Sequence, residues 1–344
     1  MKCYNAKVKN TFAIFSDLHL GVHQNSNLWH KIADKWSDWF VSELKSKNID
    51  KILFLGDYFH SRSDISVNTL HVASDITEKF KDFEMKMLVG NHCSFYKDKA
   101  EIHSLSIFKG YSNIEIIDKP KVYHIGDKDV FFAPWGTELL EITNCDVMMG
   151  HFEIETFKYN PHRVCEKGMS PSELSKKAPL IFSGHFHLRS EREYKDSKII
   201  YVGNPFEMYF DDVEGSKGYY TLDFDTLNYE FFENTISPKH KIIKLSDYDN
   251  SKENIANNII RVVVDKKIDD KDLDTYSNNI QSMVPLEFSF DHSVNFDIII
   301  DDAGEECDLS GIDMEKAITE FVNMLEIDNK EDVIKYATGL YKSL

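Results

Sequence analysis

Short apolar runs recur along the first ~230 residues, and each ends at a Gly or Ser that precedes Asp, Asn or His. The runs are FAIFSDLHLG, KILFLGDYFH, MKMLVGNHC, DVMMGHFE and PLIFSGHFH. Runs of β-favouring and bulky apolar residues bounded by turn residues are typical of buried strands. The carboxyl ends of such strands are where α/β proteins build their sites. The pattern therefore predicts five strands, each followed by a side chain that could bind a metal.

Two stripes of apolar residues recur at helical spacing between the early strands. The first stripe consists of Trp29, Ile32, Trp36 and Phe40, and the second of Leu70, Ala73 and Ile76. Strands that alternate with helices indicate a largely buried sheet flanked by helices, which is the α/β class. Further strands are predicted in KVYHIGDKDVFFAPW, SKIIYVGNPF and KGYYTLDFDTLNYEFFEN, the last with a hairpin loop at residues 225–228.

The pattern changes near residue 237. Residues 237–302 hold two β-rich runs, IIRVVVD and VNFDIIIDD, around a polar stretch of weak helical character, which predicts a small α+β unit. An acidic linker at 303–311 follows. Apolar stripes in 312–344 predict two short amphipathic helices. These helices have too little surface to form a core alone, so they must dock on their own protein or on a partner.

Composition narrows the class of protein. The 344 residues carry 40 Lys and Arg against 58 Asp and Glu, a net charge of −18, and 42% are hydrophobic. This acidic balance argues against sequence-blind adhesion to nucleic acid over the whole surface, but it leaves a local basic groove open. No apolar run approaches the ~18 residues that cross a bilayer, and no signal peptide is recognisable, so a cytoplasmic protein is expected. The five scattered cysteines support neither a disulfide framework nor a zinc finger.

The strand ends supply eight ligand-type side chains: Asp17, His19, Asp57, Asn91, His92, His151, His185 and His187. Oxygen ligands mixed with imidazoles suit Mn, Fe or Zn better than Mg or Ca. Eight groups exceed what one ion needs, whereas a two-metal site with a bridging carboxylate would use them. Alone, the Asp-x-His motif at Asp17 or the Gly-Asp motif at Gly56 is more often a simple turn, whereas the motifs Gly-Asn-His at 90–92 and Gly-His-Phe-His at 184–187 are rarer. Five motifs in this order, each behind a strand, make coincidence a poor explanation.

The ordered set resembles the calcineurin-like metallophosphoesterase superfamily, whose pattern is D-x-H, G-D, G-N-H-[D/E], G-H and G-H-x-H, over about residues 10–225. The motifs DLHLG, GDYFH and GHFH are more similar to the nuclease subunits of SbcD-type repair complexes. PW at 134–135, YVGNPF and DVIKYATGLY are similar to the recombination nucleases of T-even bacteriophages. The resemblance implies a four-layer α/β/β/α sandwich in a nuclease domain at 1–236. It further implies a small α+β DNA-capping domain at 237–302 and a C-terminal helical pair that docks an ATPase.

The resemblance also assigns the site. It implies a first ion on Asp17, His19, Asp57 and His187, and a second on Asp57, Asn91, His151 and His185, with Asp57 bridging. His92 would stabilise the phosphorane or protonate the leaving oxygen. His60 matches a position that assists exonuclease chemistry in cellular members, although phage members can lack it. Arg62 would suit a phosphate contact or a solvated loop equally well.

Position 93 departs from the family pattern, because Cys93 stands where the family has Asp or Glu. A carboxylate there would orient a metal ligand, so its loss could weaken the second ion or change the metal preference. Alternatively, Cys93 is an inert buried thiol, which is the interpretation we favour.

The function implied by the resemblance is that of a Mn²⁺-dependent DNA exonuclease and endonuclease in a recombination and double-strand-break repair complex. Its implied partners are double-stranded DNA ends and single strands, an SbcC-type coiled-coil ATPase bound by the C-terminal helices, and a second copy of the chain, in a bacterial or phage-infected cell. Two alternatives stay open. One is a phosphatase or phosphodiesterase acting on a substrate other than DNA, and the other is a non-catalytic scaffold at DNA ends.

Overall fold

The computed structural model describes residues 10–97, 99–213, 215–248, 255–292, 322 and 330–341. The chain divides into two compact units, Met1–Asn295 and Phe296–Leu344. The first nine strands are β1 (Thr11–Phe15), β2 (Lys51–Phe54), β3 (Glu84–Leu88), β4 (Ser94–Tyr96), β5 (Lys99–His103), β6 (Ile114–Ile117), β7 (Lys121–Ile125), β8 (Lys128–Ala133) and β9 (Val147–His151). The next eight are β10 (Leu180–Gly184), β11 (Ser190–Tyr194), β12 (Ser197–Tyr201), β13 (Gly218–Asp223), β14 (Asn228–Glu233), β15 (His240–Lys244), β16 (Ile259–Val263) and β17 (Glu287–Asp291).

Helical segments connect these strands. The α-helices are Asn27–Lys47, Val67–Lys79, Pro171–Leu174, Asp270–Ser282 and Lys330–Tyr341. Val22–Asn25 is a single turn in which His23, Gln24 and Asn25 have positive φ. Short 3-10 turns are Ser104–Phe108, Leu139–Glu141 and Phe210–Val213. Within the described residues, no helix has both the length and the apolar character needed to cross a membrane.

The first sheet places the ends of β1, β2 and β3 next to one another. Its strand order is β14-β13-β1-β2-β3-β6, and β1, β2, β3 and β6 run parallel. Nearly every residue of β1 and β2 is buried, as expected of parallel strands that are covered on both faces. The first three predicted strands are therefore confirmed.

The long helix Asn27–Lys47 packs against the first sheet. All four residues of the first predicted stripe are buried. The rings of Trp36 and Phe40 lie 5.0 and 5.1 Å from the ring of Phe15 on β1. The helical spacing read from the sequence therefore identified the face that builds this core.

The helix predicted from the second stripe is confirmed, but one residue of that stripe does not face the core. Ala73 and Ile76 are buried in the helix Val67–Lys79, but Leu70 is 37% exposed. Thr69 is buried in its place, and its hydroxyl bonds to polar neighbours. The buried face therefore passes through Thr69 and Ala73, four residues apart, and leaves Leu70 at its border.

The second sheet has the order β11-β12-β10-β9-β8-β7, with β12, β10, β9 and β8 parallel. It packs on the first sheet through a shared core to which β1, β2, β9 and β10 contribute Ile14, Leu53, Met149 and Phe182. The strands predicted in DVMMGHFE and PLIFSGHFH are confirmed, and so is the hairpin of β13 and β14. The packing brings the carboxyl ends of β1–β3 and β9–β10 to a common edge.

The fourth layer of the predicted sandwich is largely missing from the described residues. Between β9 and β10 the chain forms loops and the one-turn helix Pro171–Leu174. Phe152, Phe157 and Leu174 fill the core there without a longer helix. Three prolines interrupt this segment and no helical stripe is sustained through it, which explains why the layer is irregular.

A small α+β unit follows at β15, β16 and β17, which form a parallel three-stranded sheet with the helix Asp270–Ser282. The run IIRVVVD is confirmed as β16, whereas VNFDIIIDD lies outside the described residues. This unit contacts the preceding fold, since the ring of His240 stacks on Trp29 at 5.7 Å. The predicted linker at 303–311 and most of the segment predicted as the first C-terminal helix also lie outside the described residues. Lys330–Tyr341 is helical, as predicted for the second.

Candidate metal centre

The loops after β1 and β2 lie side by side. The Asp17 N–H donates to Gly56 O at 2.9 Å, and the His19 N–H donates to Asp57 O at 3.0 Å. Four site residues have left-handed backbone conformations, with φ of 54° at Asp17, 45° at His19, 60° at Asp57 and 89° at His185. Such conformations are strained for residues other than glycine, persist where surrounding structure imposes them, and cluster at functional sites. The fold therefore holds these side chains in place against a local conformational cost.

Gly90 lets the loop after β3 approach Asp57 closely. A methyl group added to Gly90 would overlap the Asp57 carboxylate and lie 2.6 Å from the Asp57 backbone nitrogen. Because the obstacle is backbone as well as side chain, it cannot simply rotate away. Only glycine fits this contact.

Replacing Gly90 by alanine is expected to lower the free energy of unfolding by roughly 1–3 kcal/mol, because the added methyl group overpacks a closed site. Urea denaturation measures the change. Gly110→Ala is the matched control, since nothing lies within 4 Å of its added methyl group. A Gly90→Ala protein as stable as the wild type would contradict the close approach.

The first cluster consists of Asp17, His19 and His187, whose ligand atoms lie within 4.8 Å of one another. The Nε2 atoms of His19 and His187 are 3.0 Å apart, and His19 Nε2 is 3.8 Å from Asp17 Oδ1. Asp17 and His19 are buried. Burial raises the pKa of Asp17, which a neighbouring cation would oppose.

The second cluster contains Asp57, His151 and His185, with Asn91 between them. His151 Nδ1 lies 2.6 Å from Leu55 O, and because a carbonyl only accepts, the ring hydrogen is on Nδ1. His151 Nε2 then faces Asp57 Oδ2 at 3.2 Å and Asn91 Oδ1 at 2.9 Å. His185 Nδ1 is 2.9 Å from the same Asn91 oxygen. In the neutral His151 ring, Nε2 is therefore an acceptor that faces two acceptor oxygens, an arrangement that suits a cation.

Asp57 lies between the two clusters. Its Oδ2 is 3.2 Å from His151 Nε2 and 3.9 Å from His19 Nε2, while its Oδ1 accepts the His92 N–H at 2.8 Å. Burial alone raises the pKa of Asp57, but His151 and His92 beside it lower the pKa well below the usual range. An ionised carboxylate in this position can serve both clusters. Its surroundings of oxygen and imidazole ligands fit divalent ions of the Mn, Fe or Zn type.

His60 and His92 form a third group with His19. The His60 and His92 rings stack at 5.6 Å, and the His92 ring meets His19 edge-on at 4.7 Å. His92 Nδ1 lies 2.6 Å from His60 O, which fixes the orientation of the His92 ring. Burial, and then the nearby His92, lowers the pKa of His60 to about 4, so His60 is neutral at pH 7.

The seven predicted metal ligands and the two predicted catalytic histidines therefore lie together at the edge where the two sheets meet. Their individual roles as ligands and catalysts stay predictions. Arg62 is half-buried in the loop after His60, and among the described residues no hydrogen bond or ion pair joins Arg62 to the clusters. Its predicted phosphate contact is therefore untested.

Cys93 is a buried thiol, as favoured from the sequence. It is 1% exposed, and its Sγ accepts the Tyr58 N–H at 3.2 Å. Burial, followed by the charge of Asp57, raises the pKa of the Cys93 thiol to about 12. The thiol thus satisfies a backbone donor beside Asp57 without bringing a second negative charge to it.

Sequence reasoning missed a buried ion pair behind the first cluster. Lys217 Nζ donates to Asp212 Oδ1 and to His187 O, both at 2.9 Å. Burial alone raises the pKa of Asp212, but Lys217 lowers it to about 2. The segment DDVEGSK has the composition of an exposed turn, so only the fold shows that this pair supports the His187 backbone.

The chain is similar to several known proteins. A family model described as calcineurin-like phosphoesterase matches residues 11–189. A solved archaeal phosphodiesterase is 14% identical, with a TM-score of 0.38, over 65% of this chain and 99% of the other. A dimetal phosphatase from Danio rerio is 11% identical, also with a TM-score of 0.38, over 62% of this chain and 92% of the other. No curated protein matches the chain.

The family match spans more than half of the chain, from β1 to the residues just beyond His187. It thereby includes every side chain of the two clusters. Two adjacent groups of His and Asp side chains, most of them buried, are the arrangement that a two-metal site requires. The chain therefore belongs to the calcineurin-like phosphoesterase family and is a metal-dependent phosphoesterase.

Proposed function

We propose that the chain is a Mn²⁺-dependent DNA nuclease that hydrolyses phosphodiesters at double-stranded ends and in single strands, as the nuclease subunit of a recombination complex. The observation that carries the proposal is the position of His60. In the SbcD-type motif GDYFH this residue accompanies nuclease chemistry, and here its ring stacks on His92 within the group that also contains His19.

The chain's own residues set up the reaction. When bound, two divalent cations at such a site lower the pKa of water and neutralise charge on the phosphodiester during in-line attack. The first would be held by Asp17, His19, Asp57 and His187, and the second by Asp57, Asn91, His151 and His185. With Nδ1 of His92 directed to the His60 carbonyl, Nε2 is the atom left to protonate the leaving oxygen or stabilise the phosphorane.

Replacing His92 by glutamine is expected to lower kcat on a phosphodiester about 10²-fold, because a general acid contributes at least that factor. Metal content should stay unchanged, since His92 is not assigned as a ligand. The measurements are steady-state kinetics and metal analysis of the same preparation. The exposed His124→Gln is the matched control. Equal kcat values for His92→Gln and the wild type would remove His92 from the mechanism.

The remaining segments have proposed roles in partner binding. The small unit of β15–β17 would shape a DNA groove as a cap. The helix Lys330–Tyr341 would dock on a coiled-coil ATPase, which is supported by its exposed Tyr336 and Val333. A second copy of the chain would complete the complex.

The test is to incubate the purified chain with MnCl2 and end-labelled linear duplex DNA, alone and with an SbcC-type ATPase from the same genome, and to read product lengths. The proposal expects progressive shortening that requires Mn²⁺. Intact DNA under both conditions, with hydrolysis of bis(p-nitrophenyl) phosphate, would favour a different phosphodiester substrate. If the chain binds two ions but catalyses neither reaction, a non-catalytic scaffold would be favoured.

A further inference from the structure

A cavity of about 870 Å³ opens beside the second cluster, with His151 among its lining residues. This volume lies in the range of pockets that hold small ligands. A group bound in the cavity would therefore sit directly next to a phosphodiester held at the second cluster. No role assigned so far uses this cavity.

Trp135 lines the cavity beside the second cluster. Its ring centroid lies 5.1 Å from that of His185 and 6.0 Å from that of His151. Two hydrogen bonds fix the residue, since its indole N–H donates to Lys97 O and its backbone N–H to Val89 O, both at 2.8 Å. Trp135 is still partly exposed. A rigid aromatic face is thus presented beside the reacting centre.

The other walls select the kind of group that fits. Leu139, Phe152 and Met169 supply apolar surface. The charged lining consists of three carboxylates, from Glu138, Glu141 and Glu153, against the two ammonium groups of Lys97 and Lys99, so acceptors outnumber cations. Carboxylates repel phosphate but can accept hydrogen bonds from amino groups. An aromatic face, apolar walls and acceptors together suit a nucleobase better than another stretch of sugar-phosphate chain.

We propose that this cavity binds the base of a nucleotide adjoining the scissile phosphodiester, and that Trp135 is the specificity-determining residue that stacks on it. The inference rests on the proposed nuclease function and adds the substrate subsite. Because every base has a π-face, the subsite should bind a nucleotide with any of the four bases better than an abasic nucleotide.

The test compares wild type, Trp135→Ala and Trp135→Phe on labelled oligonucleotides with Mn²⁺, scored bond by bond on a gel. One oligonucleotide is intact, and two carry an abasic nucleotide on the 5′ or the 3′ side of the scored bond. Trp135→Ala should lower kcat/KM on the intact bond roughly tenfold, the size expected for lost stacking, and Trp135→Phe should restore most of it. On one of the two abasic substrates, Trp135→Ala and wild type should differ less than about twofold.

A purely structural role for Trp135, such as holding His185, would lower the rate equally on all three substrates, and that result would overturn the subsite. The same proteins are assayed on methyl p-nitrophenyl phosphate, which has no base. If the wild type hydrolyses this ester but no oligonucleotide, the nuclease function itself is wrong and the subsite with it. If the wild type cleaves oligonucleotides but Trp135→Ala lowers kcat/KM by the same factor on intact and abasic substrates, only the subsite is wrong.

Discussion

Replacing Asp57 by alanine is expected to lower kcat/KM for phosphodiester hydrolysis by roughly 10³- to 10⁴-fold, because two-metal charge stabilisation is worth several kcal/mol. Asp57 is the carboxylate that faces both clusters, with His151 Nε2 at 3.2 Å and His19 Nε2 at 3.9 Å. Its removal also takes away the acceptor of the His92 N–H. One substitution thus disturbs both proposed ion sites and the proposed general acid.

Kinetics on a chromogenic diester and manganese content per chain measure the Asp57 effect together. The content should fall below two ions. Asp82→Ala is a suitable control, since Asp82 is 66% exposed in a long surface pair with Lys45. Asp57→Asn keeps the shape of the side chain and removes its charge. A loss of kcat/KM as large as that of Asp57→Ala would therefore identify charge as the cause. Two bound ions and activity within tenfold of wild type for Asp57→Ala would rule out a shared carboxylate.

Replacing Lys217 by methionine is expected to lower the free energy of unfolding by roughly 3–5 kcal/mol, because it leaves Asp212 as an unpaired buried charge. Lys217 is 1% exposed. Urea denaturation measures the loss, and Lys176→Met is the control, since its pair with Glu173 is exposed and worth little. The double variant Lys217→Met with Asp212→Asn should recover part of the loss. A single variant as stable as the Lys176 control would contradict the prediction.

The Asp212 pKa of about 2 also fixes the pH dependence of this contribution. Because the folded-state pKa is lower than the ordinary value of 3.8, the carboxylate stabilises the fold above about pH 4, and that stabilisation is lost as the pH falls towards 2. In Asp212→Asn, this part of the acid sensitivity should be missing from unfolding curves measured across that range.

The strand ends were predictable from the sequence because neighbouring parallel strands finish at one sheet edge, so that Asp17, Asp57 and Asn91 had to lie close together. The positions of Leu70 and Lys217 were not predictable in the same way. Leu70 fits the helical stripe, but a rotation of the helix about its axis by one residue decides whether Leu70 or Thr69 faces the sheet. The sequence around Lys217 has the composition of an exposed turn, and the burial of Lys217 depends on tertiary packing.

The first cluster joins His19 and His187, which are 168 residues apart in the chain and come from loops of different sheets. Neither sheet alone can supply a complete set of donors. An ion that binds only after the two sheets have docked stabilises the native fold and does not stabilise partly folded states in which the sheets are separate. Metal binding should therefore raise the free energy of unfolding of the complete domain only. A fragment that ends before β9 should be unable to bind the first ion.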